Sequence, residues 1–420
     1  MRRRSFLIKS MQAAVLGTTA IRPGNTRAEN KAKERNMKST SIAPRAITMW
    51  DFSWLERRWP GAGYEDWDQA LDGLVERGYN AVRIDAYPHL VASDPRKEWT
   101  LLPVWDQQVW GSPAVNKVVV QPYLNEFLAK CRERDIRVGL SSWFREDTDN
   151  TRMDISSAAV MADIWTKTLD SIARDDLLDT LLYVDLCNEW PGDLWAPYFT
   201  NDPPEQTWTY WHTDASMRYM RKAIDGVRQA YPDLPYCFSF TGGNPDLYPK
   251  KDLSFFGLLE HHTWMAQTHD DEYYKAVGYG YERFSPEGYK NLAENFERVY
   301  NEKREYWDRL LIEEIQRVER GARGAGLPLI TTECWGLVDF KDWPLLSWDI
   351  VKHLCELGTT TAAGTGQWIA IATSNFCGPQ FVGMWRDVEW HRRLTGIIRN
   401  SAIDPELLEN EKVEIILSRL

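Results

Sequence analysis

Eight short apolar runs recur along the chain from about residue 45, and amphipathic stretches separate them. Strands covered by helices on both faces read as near-continuous hydrophobic runs, because neither face meets water. The runs are Ala46–Asp51, Asn80–Asp85, Ile136–Ser141, Leu181–Asn188, Tyr236–Thr241, Phe255–His262, Pro328–Glu333 and, least regularly, Thr360–Trp368. Eight βα units are the number that closes a parallel sheet on itself. The alternation therefore predicts an α/β protein with a single (β/α)8 TIM barrel over residues 45–420.

Helical periodicity marks most of the segments between these runs. Asp66 to Arg77 places Ala70 and Leu74 on one stripe and is followed by Gly78, a residue that commonly ends helices. The other predicted helices are Val118–Arg132, Ser156–Ala173, Asp214–Ala230 and Tyr289–Arg320. Residues 242–254 are too few to hold a full helix between the fifth and sixth runs. Since no repeat or low-complexity linker divides the chain after residue 45, we expect one domain there.

Composition excludes several classes of protein. The chain has 61 acidic and 50 basic residues and a formal net charge of −11. Because a phosphate backbone requires a basic surface, we expect no nucleic-acid partner. The 21 tryptophans have two interpretations, a large aromatic core or a groove for sugars. An indole ring packs on the apolar face of a sugar while its N–H donates a hydrogen bond.

The first 28 residues have the composition of an export signal. Arginines at positions 2–4 precede an apolar stretch over residues 11–21, which is too short to span a bilayer. Residues 3–9 resemble a twin-arginine signal, with an ordinary secretory signal or a basic tail as the alternatives. We expect a signal peptide over residues 1–28, a linker over residues 29–44, and a periplasmic or secreted monomer without a membrane span.

The six cysteines show neither a CxxC pair nor a spacing typical of metal sites. An even number in an exported protein allows disulfides. However, Cys187, Cys237 and Cys334 lie in apolar runs, where a thiol behaves as a small core side chain. The sequence favours free cysteines and leaves the disulfide state open.

Polar residues cluster at the carboxyl ends of the predicted strands, where barrel enzymes place their sites. Arg83 lies in the second run, Asn188 and Glu189 follow the fourth, His262 ends the sixth, and Glu333 ends the seventh. A carboxylate beside an apolar strand costs free energy unless it is paired or used. Two such carboxylates, on the fourth and seventh strands, form a candidate catalytic pair.

These motifs resemble those of the clan A retaining glycoside hydrolases, especially the divergent cellulase-like barrels around family 5. The resemblance rests on Asn188-Glu189, on Glu333, and on the sequence GYNAVRI at residues 78–84, all in matching strand order. It implies that Glu189 is the acid/base and Glu333 the nucleophile of a double displacement. That chemistry requires Glu189 to be protonated and Glu333 to be ionised. The implied substrate is a β-linked oligo- or polysaccharide, and no metal or organic cofactor is implied.

The resemblance also implies roles for neighbouring side chains. Arg83 would keep Glu333 ionised, because an adjacent guanidinium lowers a carboxyl pKa. Asn188 would hydrogen-bond the 2-hydroxyl of the sugar. His262 and Trp264 resemble the family's His-x-Tyr motif, with tryptophan in place of tyrosine.

Two questions about substrate-binding residues stay open in the sequence. His261 competes with His262 as the counterpart of the histidine in the His-x-Tyr motif. Trp368 would form the floor under the cleaved sugar. The tryptophans that follow other strands are equally compatible with stacking platforms and with core packing; they are Trp50, Trp143, Trp190 and Trp335.

Three rival functions are compatible with parts of the sequence. A metal-dependent hydrolase would require His-x-His after the first strand, but that strand ends Met49-Trp50-Asp51. Adjacent strand residues such as His261 and His262 point to opposite faces, so they do not make a metal site together. A non-catalytic carbohydrate-binding barrel is the main alternative. A transglycosylase would use the same two glutamates.

Overall fold

Within the described residues, eight parallel strands pair side by side in chain order, and the eighth pairs with the first. The computed structural model describes residues 42–104, 112, 114–199, 210–280 and 285–420. The strands are β1 Arg45–Asp51, β2 Ala81–Asp85, β3 Arg137–Ser141, β4 Leu181–Asp185, β5 Tyr236–Cys237 with Ser239–Thr241, β6 Leu259–Trp264, β7 Leu329–Thr331 with Cys334–Trp335, and β8 Trp368–Ala372. Arg45 lies opposite Ala370 of β8, and Ile47 lies opposite Ala81 of β2, so the ring is closed. The predicted (β/α)8 barrel is confirmed.

Helices follow most of the strands. The longer ones are α1 Trp67–Glu76, α2 Tyr123–Glu133, α3 Ala158–Ala173, α4 Asp214–Ala230, α5 Thr268–Val277, α6 Pro286–Glu302, α7 Arg304–Ala325, α8 Asp349–Thr365 and α9 Val388–Arg399. Short helices lie at Ser53–Glu56, Pro88–Ser93, Val382–Trp385, Pro405–Leu408 and Glu414–Leu417, and 3-10 turns at Thr151–Asp154, Leu178–Thr180, Pro245–Lys250, Met265–Gln267 and Glu411–Val413. Trp99–Leu101 and Asn116–Val118 form an antiparallel pair between β2 and α2. As predicted, residues 242–254 carry only the Pro245–Lys250 turn.

The first βα unit shows how local chemistry sets the element boundaries. The Asp66 carboxylate accepts hydrogen bonds from the backbone N–H groups of Asp68 and Gln69, which caps the start of α1. Gly78 follows the helix with a φ of +84° and packs directly against Thr395. A side chain at position 78 would meet both a left-handed backbone and the Thr395 hydroxyl, so this close approach requires glycine.

The strands explain why the sequence reads as continuous apolar runs. Every residue of β2, β4, β6 and β8 is buried. Yet β2 carries Arg83, β4 ends in Asp185, and β6 contains Glu260, all with no exposed surface. Charges held inside an apolar barrel require partners there, and Arg83 is the partner of both carboxylates.

The eighth strand differs from the prediction. Thr360–Trp368 was predicted as the strand, but the chain is helical through Thr365 and β8 begins at Trp368. Cys355, Thr359 and Ala362 are buried at spacings of four and three residues, which is a helical pattern. The β-branched threonines of this segment favour a strand locally, but packing of the helix overrides that preference.

Two other predicted elements are shifted or divided. The sixth strand spans Leu259–Trp264 rather than Phe255–His262. The predicted helix Tyr289–Arg320 is two helices, α6 and α7, separated at Lys303, whose φ of −138° and ψ of 37° are not helical. An uninterrupted 3.6-residue pattern can continue across such a break, because periodicity reports burial rather than backbone continuity.

The expectations for the amino-terminal segment, a membrane span and the cysteines have separate outcomes. The predicted signal peptide and residues 29–41 of the predicted linker lie outside the described residues. In the described part of the chain, no helix has the length and apolarity needed to cross a membrane. All six cysteines are buried and free, as the sequence favoured.

Candidate active site

A cavity of about 950 Å³ opens at the carboxyl ends of the barrel strands. Its described lining comes from segments following β3 to β7 and from α7: Trp143, Asn188, Glu189, Leu194, Trp195, Thr241, Gly242, Gly243, His261, His262, Thr263, Trp264, Gln267, Thr268, His269, Asp270, Asp271, Leu310, Glu313, Glu314, Arg317, Arg320, Glu333 and Val338. Both predicted catalytic glutamates are among these residues. The cavity therefore lies where barrel enzymes place their chemistry.

Glu189 and Glu333 lie close together. Glu189 follows β4 with a φ of +46°, and its backbone N–H donates to the Ser239 hydroxyl at 2.9 Å. Glu333 lies between the two parts of β7 and is 2% exposed. One carboxylate oxygen of Glu189 and one of Glu333 lie within 4.8 Å of each other. A left-handed backbone at a residue other than glycine is strained, and such strain is often found at functional sites.

Arg83 lies at the centre of the buried charges. Its Nη1 is 3.2 Å from Glu333 Oε1, and its Nη2 is 2.6 Å from Asp185 Oδ2. Nη2 also donates to the Asn188 side-chain oxygen at 2.7 Å. The guanidinium lies 4.6 Å from the centre of the Trp143 ring, within the range of a cation–π contact. Arg83 thus orients Glu333 and Asn188 together.

His262, not His261, faces the carboxylates. His262 Nδ1 is 2.9 Å from Glu189 Oε1 and 3.7 Å from Glu333 Oε2. His261 also lines the cavity, but its Nδ1 hydrogen-bonds the Tyr248 hydroxyl at 2.6 Å. Burial lowers the pKa of His261 to about 3, so its ring is neutral. The alternation of side chains along β6 separates the two histidines.

The pKa of Glu333 differs from the expectation that Arg83 keeps this carboxyl ionised. Burial is the largest influence on Glu333 and raises its pKa to about 7, and the charge of Glu189 acts in the same direction. Arg83 and His262 lower the pKa of Glu333, as expected for Arg83, but burial outweighs them. Burial alone would lower the pKa of His262, but the charges of Glu333, Glu189 and Glu260 outweigh it and raise that pKa to about 10.

Two tryptophans predicted to bind substrate line the cavity. Trp143 follows β3, and Trp264 ends β6. The indole N–H of Trp264 is buried and has no hydrogen-bond partner among the described residues. An indole with an unused donor in a cavity wall can both stack on a ligand and donate to it.

Trp50 and Trp335 are in the core, and so is Trp368, whose predicted role is wrong. Trp368 begins β8 opposite Leu329 of β7, so it lies at the amino end of the barrel, away from the carboxylates. Its ring packs edge-on against Trp335, whose indole N–H donates to the Ala372 carbonyl. The Trp50 N–H donates to the Cys377 carbonyl. None of these three tryptophans is among the described residues that line the cavity.

The sequence patterns did not assign Asp185, Glu260 or Thr241 to the site. Asp185 and Glu260 are the buried partners of Arg83. Thr241 ends β5 in the cavity wall, and its hydroxyl has no partner among the described residues. The signal for the first two was present, since a charge inside an apolar run predicts a buried ion pair. Nothing in the sequence distinguished Thr241 from other strand threonines.

The carboxylates of Glu189 and Glu333 and the ring of His262 are close enough to be considered as metal ligands. A metal ligand must offer a lone pair, and an imidazole does so only when one ring nitrogen is deprotonated. His262 faces carboxylate oxygens from both ring nitrogens, and its raised pKa keeps both protonated. The donor set therefore fits an ion-pair cluster better than a metal site.

Comparison with known proteins identifies the family. Residues 47–399 match the family model described as sugar-binding cellulase-like. The structure of a candidate glycoside hydrolase from Parabacteroides distasonis is 60% identical, with a TM-score of 0.89 over 90% of this chain and 100% of that chain. A GH5_18 protein from Bifidobacterium longum subsp. infantis is 10% identical, with a TM-score of 0.49 over 86% of this chain and 81% of that chain. No curated protein matches. The chain therefore belongs to the sugar-binding, cellulase-like family of glycosidases, as its motifs implied.

Proposed function

We propose that this glycosidase cleaves O-glycosidic bonds with retention of anomeric configuration, using Glu189 and Glu333. The observation that supports it most is the separation of the two carboxyl groups, with oxygens within 4.8 Å in the cavity wall. Retaining enzymes hold their carboxyl groups about 5–5.5 Å apart, whereas inverting enzymes need about 6.5–9.5 Å to admit a water molecule. The separation here favours direct attack by a carboxylate.

The surroundings of each glutamate favour one role for it. Glu333 is the more buried, and Arg83 holds one of its oxygens at 3.2 Å, which orients a nucleophile. Glu189 is the more exposed, with 13% of its side chain accessible, so a leaving group can reach it. In the first step Glu189 gives a proton to the departing oxygen while Glu333 forms a bond to the anomeric carbon. In the second step Glu189 accepts a proton from the water that displaces Glu333.

The substrate we propose is a β-linked oligo- or polysaccharide. The motifs shared with the cellulase-like barrels support this class. The cavity supports it too, since Trp143 and Trp264 lie in its wall and the Trp264 N–H and the Thr241 hydroxyl are unused donors. Sugars present apolar C–H faces and hydroxyls together, and a wall of indoles and hydroxyls complements both.

The test is sugar release from a panel of β-glucans, mannans, xylans and galactans. Wild type is compared with Glu333→Gln and Glu189→Gln, and Glu302→Gln serves as the control. Glu302 is an exposed carboxylate on α6 that pairs only with Arg298 among the described residues. Activity that falls at least a thousandfold in both site variants and stays unchanged in the control supports the proposal.

Two outcomes would contradict it. A first product with inverted configuration, read by proton NMR before mutarotation, would exclude the double displacement. A wild type that binds a glycan but cleaves none would favour a carbohydrate-binding barrel. If transfer to an added sugar exceeds hydrolysis in wild type, the protein is a transglycosylase with the same two catalytic residues.

We also propose that residues 1–28 direct export by the twin-arginine route. Support comes from the paired arginines, the short apolar stretch over residues 11–21 and the small residues Thr26 and Ala28 of a candidate cleavage site. The test is the location of the full chain in cells against a variant carrying Arg3→Lys and Arg4→Lys. Equal export of the two chains would contradict the twin-arginine route.

A further inference from the structure

Glu260 is a third fully buried carboxylate in the site, beyond the two that the proposed function uses. It lies on β6 two residues before His262, so both side chains point into the barrel. Its Oε1 is 3.5 Å from Arg83 Nε and 3.7 Å from His262 Nε2. The same oxygen accepts a hydrogen bond from the Thr332 hydroxyl. A buried carboxylate with this many donors around it is held in one place and in its ionised form.

The His262 ring has carboxylates on both of its nitrogens. Nδ1 faces Glu189 at 2.9 Å and Glu333 at 3.7 Å, and Nε2 faces Glu260 at 3.7 Å. An ionised carboxylate can only accept hydrogen bonds. A neutral imidazole has one donor and one acceptor nitrogen, so a ring lone pair would face an oxygen of Glu189 or of Glu260. The proton that Glu189 gives up in the proposed function belongs to its other oxygen, so Oε1 accepts from Nδ1 at 2.9 Å in either protonation state. The imidazolium turns an N–H toward both carboxyl groups, with Glu260 at an ion-pair distance of 3.7 Å from Nε2, and the raised pKa of His262 agrees with it.

Charge balance in the barrel supports the same state. The charged and titratable groups facing His262 are Glu189 after β4, Glu333 between the two parts of β7, and its own neighbours Glu260 and His261. Those facing Glu260 are Arg83 of β2, Tyr183 and Asp185 of β4, His262, and Glu333. Arg83 and His262 are the two cations of this group. A neutral His262 would leave the carboxyl groups with Arg83 alone, in a site with little water to screen them.

We propose that Glu260 is a positioning residue that keeps His262 as an imidazolium beside Glu189. This proposal rests on the proposed function and gives the positive charge of His262 a role in it. As the leaving oxygen takes the proton of Glu189 and the electron pair of the broken C–O bond, Glu189 becomes a carboxylate next to the His262 N–H. A cation fixed there stabilises that charge as it develops, which is a preorganised electrostatic contribution.

The first experiment is an NMR titration of the imidazole nitrogens in the full-length protein. Among the seven histidines, the His262 signals are identified by their loss in His262→Gln. We expect His262 to stay protonated to a pH of about 10 in wild type. In Glu260→Gln its pKa falls by about one to three units, because an opposite charge at this distance has been removed. A wild-type His262 that titrates near its ordinary value would overturn the proposal without any variant.

Thr332→Val is the matched control. It removes a hydroxyl that contacts Glu260 and Arg83 but leaves every charge in place. We expect it to lower the thermal midpoint while leaving the His262 titration as in wild type. An equal shift in both variants, or an unchanged His262 in a folded Glu260→Gln, would contradict the role of the charge. If Glu260→Gln does not fold, Glu260→Asp is measured instead, because it keeps the charge. A His262 that titrates near its ordinary value in Glu260→Asp would contradict the role of the charge.

Kinetics separate this proposal from the proposed function. On any substrate found, kcat should fall in Glu260→Gln with KM little changed, and the fall should grow as the pH rises through the lowered pKa of His262. A kcat equal to that of wild type across this pH range would overturn the role in proton transfer. A protein without glycosidase activity would contradict the proposed function, yet the titration needs no substrate and would still decide the state of His262.

Discussion

Arg83 of β2 reaches Asp185 of β4, with Nη2 2.6 Å from Oδ2 and no accessible surface on either side chain. The strand between them contributes Ser141, whose hydroxyl donates to the same aspartate oxygen at 2.7 Å. Ser239 of β5 donates to it as well, at 2.9 Å. Side chains of four strands therefore meet at one carboxylate, which ties the barrel interior to the base of the active site.

Breaking this pair should destabilise the protein strongly. Asp185→Asn leaves Arg83 with less counter-charge in a medium that cannot solvate it, and we expect a loss of about 3–5 kcal/mol in the free energy of unfolding. Urea unfolding measures it. The control is Asp149→Asn, which removes an exposed partner of Lys97 and should change stability by at most about 1 kcal/mol. Equal effects from the two variants would contradict the buried role of Asp185.

Stability should depend on pH through Glu333. Its pKa is raised by burial to about 7 in the folded state, above the ordinary value of 4.5. The contribution of such a carboxyl to the free energy of unfolding is fully present below pH 4.5, and it is lost as the pH rises through 7. Glu333→Gln should therefore be more stable than wild type at about pH 8, by about 1–3 kcal/mol, but not at about pH 4. Unfolding curves at both values test this, and a variant less stable at the higher pH would contradict it.

The unused hydroxyl of Thr241 should bind substrate rather than stabilise the fold. Thr241→Val keeps the shape and removes a buried hydroxyl without a described partner, so stability should stay constant or rise slightly. KM should rise about 2- to 10-fold, the effect of losing one hydrogen bond. Thr359→Val is the control, because Thr359 on α8 has a buried hydroxyl of the same kind away from the cavity. An equal KM for wild type and Thr241→Val would exclude this contact.

Substitutions of two tryptophans should separate an effect on substrate binding from an effect on stability. Trp143→Phe changes a cavity wall and should raise KM about 2- to 10-fold. Trp368→Phe changes a core residue at the other end of the barrel and should cost about 1–3 kcal/mol of stability with KM unchanged. Parallel kinetics and thermal unfolding of both variants provide the measurement. A raised KM in Trp368→Phe would show that it contributes to substrate binding after all.

The thiols should be unreactive until the protein unfolds. All six cysteines are buried and free, and burial raises the pKa of Cys355 to about 12 and of Cys377 to about 11. Because the thiolate is the reactive form, a thiol reagent should modify none in the native protein and all six in urea without reductant. Fewer than six in urea would indicate a disulfide.

The predictions from the sequence succeeded where a pattern has one physical cause. The first five strands were correct to within a few residues, because apolar runs between amphipathic helices arise chiefly where a parallel sheet is covered on both faces. The eighth strand was wrong, since Thr359–Thr361 favour strands locally while the buried spacing around them is helical. The role predicted for Trp368 depended on that boundary and failed with it.

The active site shows the same division. Residue types and strand order were enough to predict that Glu189 and Glu333 come together with Arg83 and one of two histidines beside them. Only the fold separated His262 from His261, since the direction of a side chain depends on where its strand starts. Only the fold placed Glu260 against His262 and Arg83.

By itself, then, the sequence determined the barrel, the family and the candidate catalytic pair, because periodicity and motif order are properties of the chain. Tertiary structure alone decided which tryptophans reach the cavity and how protons are shared among the buried charges. Both depend on burial and on distances between residues far apart in sequence, for which one chain carries no local signal.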